Sequence, residues 1–306
     1  MVNEKITPSK IASQRFEAYR MRVALVLITL VLVVMATPGA QAQVFKTRHS
    51  FDGADGQYLL VGVVQATDGN LYGTTYEGGA NCTPNGCGTV FKIKPSGTLT
   101  TIYNFCAKSS CTDGEFPEAG LIQATNGSFY GTTYQGGANC APDGCGTIFK
   151  ISSSGTLTTV YSFCAKSGCT DGYYPEAGLI QATNGDFYGT TSQGGTTGAG
   201  TVFKITTSGT LTTLYNFCSQ SGCVDGEYPE AGLVEATNGD FYGTTYSGGV
   251  NGRGTVFRIT ASGTLKTLYS FCPQSGCVDG DTPQAALMQA SDGNLYGTTL
   301  GGGVHG

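Results

Sequence analysis

The chain has 306 residues, of which 48 are glycine, 12 cysteine and none tryptophan, and 40% are hydrophobic. That glycine content excludes an ordinary core and fits many tight turns, while the periodic spacing of the apolar residues excludes disorder. Sixteen Lys and Arg stand against 21 Asp and Glu, a net charge of −5, which argues against nucleic acid and anionic membranes as partners.

Residues 1–42 read as a secretion signal. Lys5, Lys10, Arg15, Arg20 and Arg22 precede an apolar run over residues 23–35 in which only Thr29 is polar. Pro38 then precedes Ala40-Gln41-Ala42, a small-residue cleavage site, so the mature chain is expected to start at Gln43. The charged region is long, and Met21 is a second candidate start. Thirteen helical residues reach only about 20 Å, short of the roughly 30 Å hydrocarbon core, so cleavage is expected over a retained anchor. Five basic and two acidic residues leave with the signal, and the mature chain then carries 11 Lys and Arg against 19 Asp and Glu, a net of −8.

From Phe51 onward one unit recurs, and residues 43–306 are expected to form a single domain. The tetrapeptide Tyr-Gly-Thr-Thr starts at Tyr72, Tyr130, Tyr188, Tyr242 and Tyr296, a period of 58, 58, 54 and 54 residues. Such spacing signals an array of identical supersecondary units. Each unit holds four strand candidates. In the second unit residues 120–125 and 128–134 are joined by Asn126-Gly127, and the other units carry Asp68-Gly69, Asn184-Gly185, Asn238-Gly239 and Asp292-Gly293 there. These pairs predict a two-residue type I′ hairpin. Residues 146–152 and 156–163 make the second pair, turned by Ser154-Gly155. Thr147, Phe149 and Ile151 share one face while Ile148 lies on the other, so the sheet must be covered on both sides. With no helical period after the leader, the expected fold is all-β, a β-propeller of four-stranded blades.

Residues 44–51 align with the fourth strand of a unit, since Ser50-Phe51 matches Asn104-Phe105 and Ser162-Phe163. The N-terminal strand is therefore expected to complete the last blade and remove the open edges. At the other end the fifth unit reaches Gly306 without its G-T-V-F strand. Two readings stay open: a five-bladed ring with a three-strand fifth blade, or a natural protein with more blades.

The cysteines form C-x4-C pairs, Cys82/Cys87, Cys106/Cys111, Cys140/Cys145, Cys164/Cys169, Cys218/Cys223 and Cys272/Cys277. They occupy the loops after the second and fourth strands. Where the first loop shortens, at residues 194–200 and 248–254, both cysteines vanish together, so each pair is expected to bond within its own loop. Metal ligation would need four thiolates from two loops, because His49 and His305 lie outside the repeats; an exported chain favours disulfides. A six-residue loop predicts roughly 2 kcal/mol per bridge.

The repeats hold no histidine, hence no base for a Ser-His or Cys-His nucleophile, and no phosphate-binding glycine fingerprint. The candidate ligand site is a recurring loop, Asp-Gly-x-aromatic-Pro-Glu-Ala. It supplies Asp113, Phe116 and Glu118; Asp171, Tyr174 and Glu176; and Asp225, Tyr228 and Glu230. Carboxylates beside aromatic rings could hold a sugar by stacking and hydrogen bonds, and the acids could bind Ca²⁺. The plainer alternative gives the Asp-Gly to the turn and the aromatic to packing between blades. Glu235, Arg253 and Lys266 break the repeat singly and read as drift.

The segments D-G-N-L-Y-G-T-T at residues 68–75 and 292–299 and G-T-V-F-K-I at residues 88–93 and 200–205 resemble the GloVer tandem repeat of secreted bacterial choice-of-anchor proteins. The hairpin is more loosely similar to the D-G-x-L-W-x-G-T repeat of two-component-regulator propellers. The resemblance implies an exported repeat domain, often anchored at the cell surface, and carries no reaction. No anchor segment is seen up to Gly306. The expected role is therefore a non-catalytic binding or surface-interaction module for an extracellular glycan or surface protein. A polysaccharide lyase or glycosidase using the loop carboxylates is the alternative, and a purely structural surface repeat a third.

Overall fold

The structure, a computed structural model, describes residues 46–305. The secretion signal over residues 1–42, and the first two residues of the 44–51 strand, lie outside the described residues. Four antiparallel four-stranded sheets follow one another. The first holds β1 (Val64–Gln65), β2 (Leu71–Thr75), β3 (Thr89–Ile93) and β4 (Leu99–Asn104). The second holds β5 (Ile122–Gln123), β6 (Phe129–Thr133), β7 (Thr147–Ile151) and β8 (Leu157–Ser162). The third is β9 (Ile180–Gln181), β10 (Phe187–Thr191), β11 (Thr201–Ile205) and β12 (Leu211–Asn216). The fourth is β13 (Val234–Glu235), β14 (Phe241–Thr245), β15 (Thr255–Ile259) and β16 (Leu265–Ser270). A two-stranded sheet, β17 (Met288–Gln289) and β18 (Leu295–Tyr296), begins a fifth. These are the blades of an all-β propeller, and the helical residues described are three short 3₁₀ turns.

The turn between the first two strands differs from the expected type I′. Gly127 N–H donates to Ala124 O at 2.8 Å and Ala124 N–H to Ser128 O at 2.9 Å, and of the pair only Gly127 has positive φ. That is a three-residue loop, a type I turn closed by a left-handed glycine. The Asn126 side chain accepts from Ser128 N–H at 3.0 Å, an Asx turn that holds Asn126 in a right-handed conformation. In the second hairpin a bulge falls between Ile148 and Phe149, which pair with Tyr161 and Thr159 and leave Val160 over. The strict alternation expected along β8 therefore breaks at Val160.

The core lies between blades. One cluster unites Ala66, Tyr72, Val90 and Phe105 of the first blade with Leu121, Phe129, Phe149 and Ile151 of the second. Tyr72 lies on Phe129 at 4.1 Å and Phe105 on Phe149 at 5.1 Å, and the same contacts recur at the next two junctions. Burying each such ring stabilises by about 2 kcal/mol. Polar ties reinforce the junctions. Thr74 hydroxyl donates to Ala119 O, and Thr67 N–H donates to the Gln123 side chain at 2.8 Å. The innermost strands pair over two residues in every blade, β5 among them, where a longer strand was expected.

The expected closure by the N-terminal strand is not what the structure shows. Phe51 does pack on Phe91 at 5.1 Å, as Phe105 packs on Phe149, so it takes the place of an outer strand against the first blade. Among the described residues no strand pairing joins it to β17 and β18. Val63, the counterpart of buried Leu121, is 42% exposed, and Tyr296, the counterpart of buried Tyr130, is 51% exposed. Both terminal blades therefore present to solvent the faces that inner blades bury, and among the described residues no strand pairing closes the array.

Candidate functional site

The Asp-Gly-x-aromatic-Pro-Glu loops lie at the blade junctions, just before the inner strands. Their aspartates do not face a ligand. Asp113, Asp171 and Asp225 are fully buried. Asp113 accepts from Tyr103 hydroxyl at 2.7 Å, Ala107 N–H at 2.9 Å and Lys108 N–H at 3.1 Å. Asp171 repeats this with Tyr161, Ala165 and Lys166, and Asp225 with Tyr215, Ser219 and Gln220. Each aspartate ties a disulfide loop to the outer strand, with both oxygens engaged. That corrects the expectation that these acids bind sugar or Ca²⁺, because a buried, saturated carboxylate is closed to a solvent cation.

The aromatic residues of the loops adopt left-handed backbone, with φ of 55° at Phe116, 57° at Tyr174 and 56° at Tyr228. For bulky residues this costs about 1 kcal/mol or more and persists only where surroundings enforce it. Two neighbouring blades supply that constraint. Phe116 N–H donates to Cys87 O in the first blade, and its carbonyl accepts from Tyr134 N–H in the second. The rings then meet the residue after Tyr-Gly-Thr-Thr of the preceding blade. Phe116 lies on Tyr76 at 5.2 Å and Tyr174 on Tyr134 at 4.5 Å. In the third blade that residue is Ser192, so among the described residues Tyr228 has no ring to stack on, and it is 38% exposed.

Glu118, Glu176 and Glu230, two residues beyond each aromatic, are half-buried and feel one another's charge. Burial, followed by the charges of Glu176 and Glu230, pushes Glu118 up to about 7. Glu176 is also raised, mainly by burial, although the Ser192 hydroxyl donates to its Oε1 at 2.7 Å and opposes the shift. Glu230 is raised by burial and accepts from Gln284 Nε2 at 2.8 Å. Burial likewise raises the Tyr76 phenol, with Glu118 the next cause, and pushes Tyr134 up to about 12, with Glu176 the next cause. The structure thus gathers the glutamates and aromatic rings of successive junctions into one polar–aromatic face.

All six expected loop disulfides are present: Cys82–Cys87, Cys106–Cys111, Cys140–Cys145, Cys164–Cys169, Cys218–Cys223 and Cys272–Cys277. The Cys272–Cys277 loop differs in its hydrogen bonds from the other loops after fourth strands. The equivalent loops close on 3₁₀ segments that end at Cys111, Cys169 and Cys223, whereas at Cys277 only the single turn bond to Gln274 O remains, at 3.2 Å. Pro273 has no N–H to give Asp279 where Ala107, Ala165 and Ser219 donate to their aspartates. Cys272 N–H turns to Asp279 instead, at 3.1 Å, whereas the N–H groups of Cys106, Cys164 and Cys218 bond to Gly114, Gly172 and Gly226 carbonyls. The Cys272–Cys277 bridge therefore forms in a loop that the aspartate holds less firmly.

Sequence reasoning missed Tyr76, Tyr134, Ser192 and Gln284 in the polar–aromatic face. Ser192 carried a usable signal, since it is the one polar non-aromatic residue in a column that otherwise holds Tyr76, Tyr134, Tyr246 and Leu300. Glu235, read as drift, keeps the inter-blade role of its glutamine counterparts, accepting from Thr183 N–H at 3.0 Å and Thr183 hydroxyl at 2.8 Å.

The sequence matches the family model described as the Gloeobacter/Verrucomicrobia repeat over residues 33–224 and 144–306. The chain belongs to this family. No curated protein sequence matches it. Among solved structures, this repeat chain is similar to the extracellular domain of a putative hybrid two-component system from B. thetaiotaomicron. The identity is 12% and the TM-score 0.47, covering 70% of this chain and 24% of that one. A putative gluconolactonase is similar at 16% identity and TM-score 0.44, covering 78% and 70%. The endo-arabinase of Bacteroides thetaiotaomicron is similar at 17% identity and TM-score 0.40, covering 76% and 85%. Likenesses of this size carry nothing about what the repeat chain binds or does.

Proposed function

We propose that this protein is an exported, disulfide-stapled repeat propeller that binds a glycan without chemically changing it. The binding face is the row of aromatic and glutamate side chains at the blade junctions. The observation that carries the reading is Tyr228, an exposed and unstacked ring on constrained backbone, with Glu230 two residues on and Ser192 at the foot of the same junction. A flat aromatic offers its face to the C–H surface of a sugar, and adjacent carboxylates accept from its hydroxyls. A ring already ordered in the free protein loses little entropy on binding.

Export rests on the leader-like residues 1–42 and on cysteines that are all paired in loops, as in oxidising compartments. Among the described residues no helix is long and apolar enough to cross a membrane. The test is a glycan array probed with the chain from Gln43 onward. Retention of one glycan class, lost in Tyr228→Ala, supports the reading; a Tyr228→Ala array identical to that of the native chain overturns it.

One observation favours a second reading, a glycan-cleaving enzyme. Glu118, pushed up by burial to about 7, would carry a proton about half the time at neutral pH, a fraction from which a general acid can act. Reducing ends or unsaturated products released by the native chain but not by Glu118→Gln would establish it, and their absence would leave binding alone.

A further inference from the structure

The cysteine loops after the second and fourth strands of a blade meet in space. In the first blade the sulfurs of Cys82, Cys87, Cys106 and Cys111 lie within 4.8 Å of one another, together with a carboxylate oxygen of Glu115. In the second blade the sulfurs of Cys140, Cys145, Cys164 and Cys169 do the same without a carboxylate. The third blade has lost its first cysteine loop and offers only Cys218, Cys223 and Glu227. The fourth has lost the same loop and keeps only Cys272 and Cys277. Neighbouring disulfides in a small protein have no need to converge so closely. Four thiolates around a tetrahedral Zn²⁺, each about 2.3 Å from the metal, lie about 3.8 Å apart, and sulfurs of the two different loops already stand no more than 4.8 Å from one another.

A second observation follows the same division among the blades. The loop residue two past the first cysteine is Lys108 in the first blade and Lys166 in the second, but Gln220 and Gln274 in the third and fourth. The cation is present where four cysteines meet and absent where two remain. Four thiolates on Zn²⁺ leave a net charge of −2, which a lysine in the same loop reduces; two sulfurs in a neutral disulfide create no such demand.

We propose that each four-cysteine cluster is a site for a soft divalent cation, Zn²⁺, in the reduced chain, so that these loops exchange two disulfides for one metal. A dithiol reductant opens each disulfide, giving two thiols and leaving as its own cyclic disulfide. Two such steps deliver four electrons and four protons. Zn²⁺ then displaces the four thiol protons and forms four Zn–S bonds, so binding strengthens as pH rises. The oxidised chain has no thiolate to offer and takes no metal at these loops. In the oxidised state each disulfide closes its own loop, whereas the metal ties the blade's two loops to each other.

The second blade gives the cleaner test because no carboxylate enters its cluster. The full chain is reduced with a phosphine, which supplies the same electrons without competing for metal, and is titrated with Co²⁺ and Zn²⁺. The expected result is two metals per reduced chain by native mass measurement. Co²⁺ should show the intense visible bands and sulfur-to-metal charge transfer of a tetrahedral thiolate site. The double variant Cys140→Ser with Cys164→Ser is expected to hold one metal, and the non-reduced chain none. Octahedral Co²⁺, no metal on the reduced chain, or two metals still bound by the double variant would each overturn the proposal.

Discussion

Ser192 donates a 2.7 Å hydrogen bond to Glu176 from the position where the blade before it carries Tyr134. The exchange of a ring for a hydroxyl holds one carboxylate in place and bares the face of Tyr228 at the next junction. Restoring the ring with Ser192→Tyr should cover Tyr228, free Glu176 and raise that acid's pKa further, since the only hydrogen bond opposing the shift is removed. A carboxyl titration followed by NMR reads the last effect directly.

The two tyrosines of the face should separate in stability. Tyr174 stacks on Tyr134 at 4.5 Å, so Tyr174→Ala is expected to cost about 2 kcal/mol in lost stacking and burial. Tyr228→Ala removes an exposed ring and should stay within about 0.5 kcal/mol of the native chain. Denaturant melts of the two variants check the difference.

The buried aspartates behave as anchors. Asp171→Ala leaves Ala165 N–H, Lys166 N–H and the Tyr161 hydroxyl without their acceptor, and should destabilise by about 3 kcal/mol. Asp279 is expected to matter less. Pro273 withholds one backbone N–H from it, and among the described residues its Oδ1 has no partner. Thermal melts of Asp171→Ala and Asp279→Ala should rank in that order.

Glu118 sets a pH dependence of defined sign. Its folded-state pKa of about 7 lies above its ordinary value of 4.5, so the folded chain binds the proton first as pH falls. Stability should therefore rise as pH is lowered from about 7 to about 4.5, and the penalty should be full above that window. Glu118→Gln removes the ionisation and should gain about 1 kcal/mol at pH 8, a value discounted for partial exposure, with little change at pH 4.5. Melts of both chains at the two pH values decide it.

Glycines of one sequence column should differ from those of another for reasons of space. A Cβ on Gly131 would lie 2.6 Å from Phe149 Cζ inside the core, whereas one on Gly127 meets nothing within 4 Å. Gly131→Ala should cost more than about 2 kcal/mol through forced repacking. Gly127→Ala should cost about 1 kcal/mol, through its φ of 78° alone. Chemical denaturation of the pair tests the ranking.

The blade itself was legible because two-residue alternation, recurrent glycine turns and a fixed period act on every copy at once. The turn subtype was not. Asn-Gly announces a left-handed glycine but leaves open whether Asn126 joins it, and the Asn126 contact with Ser128 N–H decides that. The aspartates were misassigned because their partners at Ala107 and Lys108 are backbone groups, which have no signature in the sequence. The same blindness hid the altered loop around Cys277, although Pro273 marks the N–H that is missing there. Closure was half legible. Phe51 found the ring its alignment implied, Phe91, but an alignment reports which face a strand packs on and not which neighbour it pairs with. Ser192 could have been read, since a break in a repeat is where a single site differs from its copies.

Calorimetric titration of the glycan selected by the array, into the native chain and into Ser192→Tyr, measures the central claim most directly. The open face of Tyr228 predicts saturable binding to the native chain and at least a tenfold loss when a ring is restored beneath it. Equal affinity in the two proteins would contradict the claim that this exposed tyrosine is where the sugar stacks.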